Sequence, residues 1–185
     1  MTRNFTTRPV TETPTAALHG LWRDVIRHGS GGEERGQIRP NAIVSDCRRA
    51  LAVFVAGGGG PGIEGLWFGA GDPAWDVGGT PPATPAQLAL VDPKPFLLPA
   101  AALKIDFVDD LGAISAQPTR RLQIVADLAA GSPPWPDAFH AALSLREFGL
   151  ASHIGGAPVL LNYVTHPVIN KDAASALERT IWLVF

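Results

Sequence analysis

The closing stretch Leu145–Phe185 reads LREFGLASHIGGAPVLLNYVTHPVINKDAASALERTIWLVF, and its periodicity decides the fold class. From residue 177 onward, Leu177, Arg179, Ile181, Leu183 and Phe185 alternate with Glu178, Thr180, Trp182 and Val184. A period of two held over nine residues argues a strand. Upstream, Val159, Leu161 and Tyr163 alternate with Leu160, Asn162 and Val164, giving a second strand that the His166-Pro167 step is expected to close. Some ten residues, with Lys171 and Asp172 among them, join the two, which predicts a broad antiparallel pair. A chain end frays unless it is tied down, so a strand running into Phe185 is expected to be paired inside a sheet.

Working outward, further segments carry the same alternation. Leu103, Ile105 and Phe107 alternate with Lys104, Asp106 and Val108, and Asp109, Asp110 and Gly112 signal a turn after them. In 121–128 the inward set is Leu122, Ile124, Ala126 and Leu128. Leu66–Gly71 reads as a strand ending in a glycine turn. Asn41–Val44 is a short strand, residues 93–99 are extended, and 142–148 opens the final set. The GSPPWP loop at 131–136 is expected to leave Trp135 partly exposed. Helical spacing occurs twice: Leu18, Leu21, Trp22, Val25 and Ile26 fall three and four apart, and Ser45 precedes a run with Leu51, Phe54 and Val55 on one face. Residues 85–91 offer a further short helical segment. The expected class is α+β, mainly β: an antiparallel sheet or sandwich with two short helices in the N-terminal half and extended Pro/Gly-rich loops. Residues 1–40 are expected to form an N-terminal arm, extended over 1–14, followed by an amphipathic helix. Residues 41–185 form the β-rich domain.

Composition bounds the function. At 185 residues the chain suits one domain, and its 17% charged residues against 20 Gly and 17 Pro favour a loop-rich β protein over a helical bundle. A net charge of -2 offers no basic surface for phosphate backbones, so no nucleic-acid partner is expected. No apolar run reaches the length of a membrane helix and residues 1–10 have no leader-like apolar core, so no membrane span or export is expected. One cysteine, Cys47, permits no internal disulfide and fits assembly in a reducing cytoplasm.

The chemistry-bearing candidates are few. The run Gly57–Gly60 with Pro61 and Gly62 lacks a following GK[ST], and reads as a flexible turn rather than a phosphate cradle. Asp72 and Asp76, four apart, are the only metal candidates, and Asp72 ahead of Pro73 also suits turn capping. Cys47 sits near a helix start beside Arg48 and Arg49, which lowers a thiol pKa in principle. Arg146 and Glu147 point to opposite faces of a strand, so the two are not expected to be buried together. Each suits an ion pair with a neighbouring strand or subunit. His19, His28, His140, His153 and His166 have no metal-site spacing. No convergent acid, base and nucleophile emerges, so no catalytic residue and no cofactor are expected. Trp67, Trp75 and Trp135, with Arg146 and Glu147, are the expected interface residues.

Taken in order, LWFGAGDPAWD, the PP-rich loop, LALV, LREFGL, VLLNYV, HPVINKD and ALERTIWLVF resemble a group of bacteriophage tail structural proteins. The layout is similar to that of the N-terminal attachment domain of tail-collar fibre proteins, with its "IavGdG" strand and turn, "rEiGlf" strand and "hPxixK" step. Leu66–Gly71, Arg146–Leu150 and His166–Lys171 occupy those places. The resemblance implies a non-enzymatic component of a phage tail, baseplate or fibre attachment point, or of a related contractile injection particle. Its expected partners are other tail or baseplate proteins, tail fibres and further copies of itself, and its expected location is the virion tail after assembly in the host cytoplasm. With no fibre shaft after Phe185 and an arm before Asn41, the expected role is that of an adaptor. Two other readings remain open: a carbohydrate- or receptor-binding β-domain stacking sugars on Trp67, Trp75 and Trp135, and a hydrolase using Asp72 or Asp76.

Overall fold

The structure is a computed structural model that describes residues 18–60 and 62–185; the arm expected over 1–14 lies outside them. The described residues form a mainly β protein built on one curled antiparallel sheet. The elements are β1 (His19–His28), β2 (Gly32–Arg35), β3 (Arg39–Ile43), α1 (Ser45–Val55), β4 (Gly65–Gly69), α2 (Trp75–Gly78) and β5 (Phe96–Pro99). After a turn of 3-10 helix (Ala100–Ala102) come β6 (Leu103–Val108), β7 (Ile114–Ser115), β8 (Arg121–Leu128), β9 (Ser144–Ile154), β10 (Ala157–Leu160), β11 (Asn162–Asn170) and β12 (Ala176–Val184). The strand order is β5-β4-β9-β11-β3-β1-β12-β8-β6-β7, with β10 on β9 and β2 on β1.

β12 lies in the sheet as the alternation requires, with Leu177, Ile181 and Leu183 buried on its inner side. Its neighbours differ from the expectation. β11 and β12 do not pair; β3 and β1 stand between them, and β12 is hydrogen-bonded to β1 from His19↔Val184 to Arg27↔Ala176 and to β8 on its other edge.

The helix expected over Leu18–Ile26 is strand β1, in the middle of the sheet. Its three-four spacing coincides with a strand whose inner set, Gly20, Trp22, Asp24 and Ile26, includes a charge that hides the period of two. β3 spans the boundary expected at residue 40, so the strands on both sides of that position belong to one sheet. The second expected helix is α1, but it begins at Ser45 itself, with Val44 at the capping position and no side-chain cap. Its buried residues are Asp46 and Cys47, whereas Phe54 and Val55 are 69% and 83% exposed. The helix expected at 85–91 is replaced by turns and bends, and the short α2 forms at Trp75–Gly78 instead. Three prolines at 81–85 remove backbone donors, and the amides of Val91 and Asp92 go to the Glu147 carboxylate rather than to a helix.

His166-Pro167 does not end its strand. β11 continues to Asn170 across a register shift against β9 between Thr165 and Ile169, and such an irregularity accommodates a proline that has no ladder donor. β9 is buried on both faces from Ser144 to Ser152. Inside the curl it meets the main core of Trp22, Phe68, Ile124, Phe148 and Ile181; a smaller cluster of Val44, Leu160 and Tyr163 packs with Trp67, Ala83 and Leu90. Residues 70–95 therefore form a proline-rich cover over one face of the sheet, tied down by Ser45 N–H to the Pro85 carbonyl and by the Thr165 hydroxyl to the Pro81 carbonyl.

Candidate functional site

Three places gather polar or accessible groups. The first is inside the curl. Arg179 on β12 and Asp24 on β1 are register partners, and the guanidinium donates from Nε to Oδ1 at 2.6 Å and from Nη2 to Oδ2 at 2.5 Å. Rings of Trp22, Phe68 and Phe148 surround the guanidinium, with Phe148 3.9 Å away. Nη2 also approaches Nε2 of His166 at 3.2 Å, so that nitrogen is the acceptor and Nδ1–H donates to the Pro167 carbonyl at 2.8 Å. Burial, reinforced by the Arg179 charge, pushes His166 down to about 3. The ring is a neutral hydrogen-bond link and a poor general base. A cleft of about 250 Å³ reaches this group between β1, the β2–β3 connection and the Pro167–Ile169 run, with Glu34 and Arg39 on its wall.

The second place joins β9 to the proline-rich cover, and most of the candidate residues converge there. Arg146 donates from Nε and Nη2 to the two Asp76 oxygens at 2.8 and 2.6 Å, and from Nη1 to the Ala70 carbonyl at 2.9 Å. That hydrogen bond holds Asp76 below the usual carboxylate range and raises Arg146. Glu147 is fully buried and accepts from the Tyr163 hydroxyl at 2.5 Å and from the amides of Val91 and Asp92. Desolvation nevertheless raises its pKa, and desolvation with the Glu147 bond raises that of Tyr163. Asp92 in turn accepts from Ala70 N–H and faces His140 Nε2 at 3.0 Å, while His140 Nδ1 faces Asp137 at 2.8 Å.

Arg146 and Glu147 are thus both buried, contrary to expectation, because core covers one face of β9 and residues 70–95 the other. Trp135 is also buried, stacked on His140 at 3.8 Å between centroids, rather than exposed on its loop. Trp67 and Trp75 are half-buried, the first against the smaller apolar cluster. Asp72 caps its turn by accepting from Ala74 N–H, and Asp76 is committed to Arg146, so the two carboxylates are not free to share a cation. Among the described residues no group of three or more His, Cys, Asp or Glu side chains is arranged to hold a metal.

The third place is one end of the curl, which is open. A cavity of about 690 Å³ is lined by Cys47 and Phe54 of α1, the glycine run, Ile105 and Phe107 of β6, and Leu183 and Phe185. Its polar lining is nearly self-satisfied: Ser152 donates to the Gly62 carbonyl, and His153 Nδ1 is bonded to Glu64. Cys47 is not activated here. Burial pushes its thiol up to about 11, outweighing the nearby Arg48. Sequence reasoning missed this cavity because its lining comes from four separate stretches, within 47–63, 105–122, 152–161 and 183–185. The only signal was the run of apolar residues on α1 and β6, which read as core.

Compared with protein-family models, curated proteins and solved structures, the chain shows no significant match to any of them.

Proposed function

We propose that the chain is a non-enzymatic structural adaptor of a phage tail, or of a related contractile injection particle, that joins neighbouring subunits and helps to anchor tail fibres. The observation that carries the reading is the open apolar end of the curl. Phe54, Leu51, Ile105, Phe107 and Phe185 stay partly exposed there around a concave surface, and soluble monomers rarely leave such a patch uncovered. The polar groups support it from the other side. Asp24, Arg179, Arg146, Asp76 and Glu147 are all engaged within the chain, in contacts that fix strand to strand and cover to sheet. His166 is held neutral and Cys47 protonated, which suits a scaffold better than a catalyst. The order of the LWFGAG, REFGL and HPVINK segments adds the resemblance to tail attachment domains. No helix among the described residues is long and apolar enough to cross a membrane.

The test is a map of tail particles purified from cells that produce the chain. The expected result places it in the tail with its open end against another subunit. A chain recovered only free in the lysate, and absent from purified particles, overturns the reading.

A further inference from the structure

The curled sheet has an unpaired strand edge beside its open end. β6 is bonded to β8 along Leu103–Phe107, but on its other edge only Phe107 and Val108 have strand partners, Ser115 and Ile114 of β7. Leu103 N–H is taken by the Ala100 carbonyl at the end of the 3-10 turn, and the amides that face β7 are the odd-numbered ones, as Asp109 N–H to the Ala113 carbonyl shows. Among the described residues, Ile105 N–H is therefore the outward donor of Leu103–Asp106 that has no partner. The side chains of Ile105 and Phe107 line the cavity and are 41% and 37% exposed. One short stretch of chain therefore offers an unused backbone donor, Ile105 N–H, with the carbonyls of Leu103 and Ile105 on the same edge, next to an unfilled apolar floor.

This combination selects the occupant. A small apolar molecule covers Ile105 and Phe107 but leaves the backbone edge as it was. A docked helix does the same, since its own amides are already bonded. Only an extended peptide satisfies the edge and fills the floor together, by pairing its backbone and turning every second side chain inward. Charge narrows it further. The polar pair on the cavity wall, His153 and Glu64, is self-bonded and Ser152 is bonded to Gly62, so nothing there is left to receive an inward-facing charge.

We propose that β6 accepts an added strand: an extended segment of a partner subunit, apolar and uncharged at alternate positions, pairs with the outward edge at Ile105 and the Leu103 carbonyl in line with β7 and seats its inward side chains against Ile105, Phe107 and Phe54. The proposal rests on the reading of the chain as an assembly module and states how that module is joined.

The probe is the full chain carrying, after Phe185, a flexible Gly/Ser linker and the strand Thr-Val-Thr-Ile-Thr-Val-Thr, since Phe185 lies on the cavity and a tether raises the effective concentration. A control fusion replaces Val and Ile by Ser. Amide exchange is followed residue by residue. The expected result is at least a tenfold slowing at the Ile105 amide in the patterned fusion alone, removed by adding Phe107→Asp. No slowing, or equal slowing with the control strand, overturns the proposal. So does an unfused chain in which the Ile105 amide is already as protected as those of β8, since the edge is then covered by residues 1–17 or by a second copy. Failure to find the chain in particles refutes the proposed function but leaves this result standing, and failure here leaves a subunit role that uses another contact.

Discussion

Asp24 and Arg179 are 155 residues apart in sequence and directly opposite one another on β1 and β12, with both side chains inside the curl. The pair fixes which residue of the N-terminal strand meets which residue of the C-terminal one. A slip by one residue carries either charge to the other face of the sheet and leaves its partner alone among Trp22, Phe68 and Phe148.

Breaking the pair from one side leaves an uncompensated buried charge. Arg179→Met is expected to destabilise the chain by about 3–5 kcal/mol, and Asp24→Asn by a smaller amount in the same direction, measured by denaturant unfolding. The double variant Asp24→Leu/Arg179→Met is expected to recover much of the loss, because a well-packed apolar pair needs no desolvation of ions. Equal losses in the single and double variants sink this account.

His166 sets a pH dependence whose sign follows from its neutral buried state. Its folded value lies near 3, against an ordinary value of 6.5. Above 6.5 neither folded nor unfolded chain is protonated there, and its contribution to stability is complete. As pH falls from 6.5 towards 3, the unfolded chain takes a proton that the folded chain refuses, and stability drops by about 1.4 kcal/mol per pH unit from this group alone. His166→Gln, whose amide can still accept from Arg179, is expected to flatten the slope of unfolding free energy over that range by about one proton. Parallel slopes for the variant and the parent chain contradict it.

These two groups also explain what the sequence conceals. Strands β6, β8 and β12 are legible because each carries its own alternation, and β4 because an apolar pair runs into a glycine turn. β1 is not, because Asp24 stands where an apolar residue would mark the period, and only Arg179 makes that position an inner one. Leu18, Leu21, Trp22, Val25 and Ile26 then fit a helix by coincidence of spacing. The pairing of β12 with β1 rather than β11 is a long-range choice with no local trace. Of the candidate residues, Asp72 caps its turn, as its place ahead of Pro73 suggests, whereas Asp76, Trp135, Arg146 and Glu147 are engaged within the chain. Arg146 and Glu147 find partners in the 70–95 cover, at Ala70, Asp76, Val91 and Asp92, and Trp135 stacks on His140, contacts that no local spacing marks. The fully buried Glu147 was unforeseeable without knowing that both faces of β9 are covered.

The cover is held by Arg146 and by a tight turn at Gly71. Gly71 has a φ of +59°, and a Cβ there would stand 2.6 Å from the Trp75 ring and 3.0 Å from the Arg146 Cβ. Gly71→Ala is therefore expected to cost about 1–2 kcal/mol from the left-handed backbone alone, with the crowding added. Arg146→Gln is expected to release the same segment by a different route, through loss of Asp76 and of the Ala70 carbonyl. In both variants limited proteolysis should produce new cuts between residues 71 and 95 while cuts in β12 stay rare. Cutting spread evenly over the chain contradicts local release.

Cys47 reports on the open end without any added probe. With its thiol near 11 rather than the ordinary 9, the thiolate fraction at pH 8 falls about a hundredfold, and burial blocks approach as well. Alkylation by iodoacetamide in the folded chain is expected to run at least a hundredfold slower than in urea. Phe54 is a neighbour on the cavity lining, so Phe54→Ala should widen access and speed the folded reaction without changing the rate in urea. An added strand on β6 should slow it, because the occupant fills the same space. Rapid labelling of the unmodified folded chain at pH 8 shows instead that the thiol is open and ionised, and that burial does not govern this end of the curl.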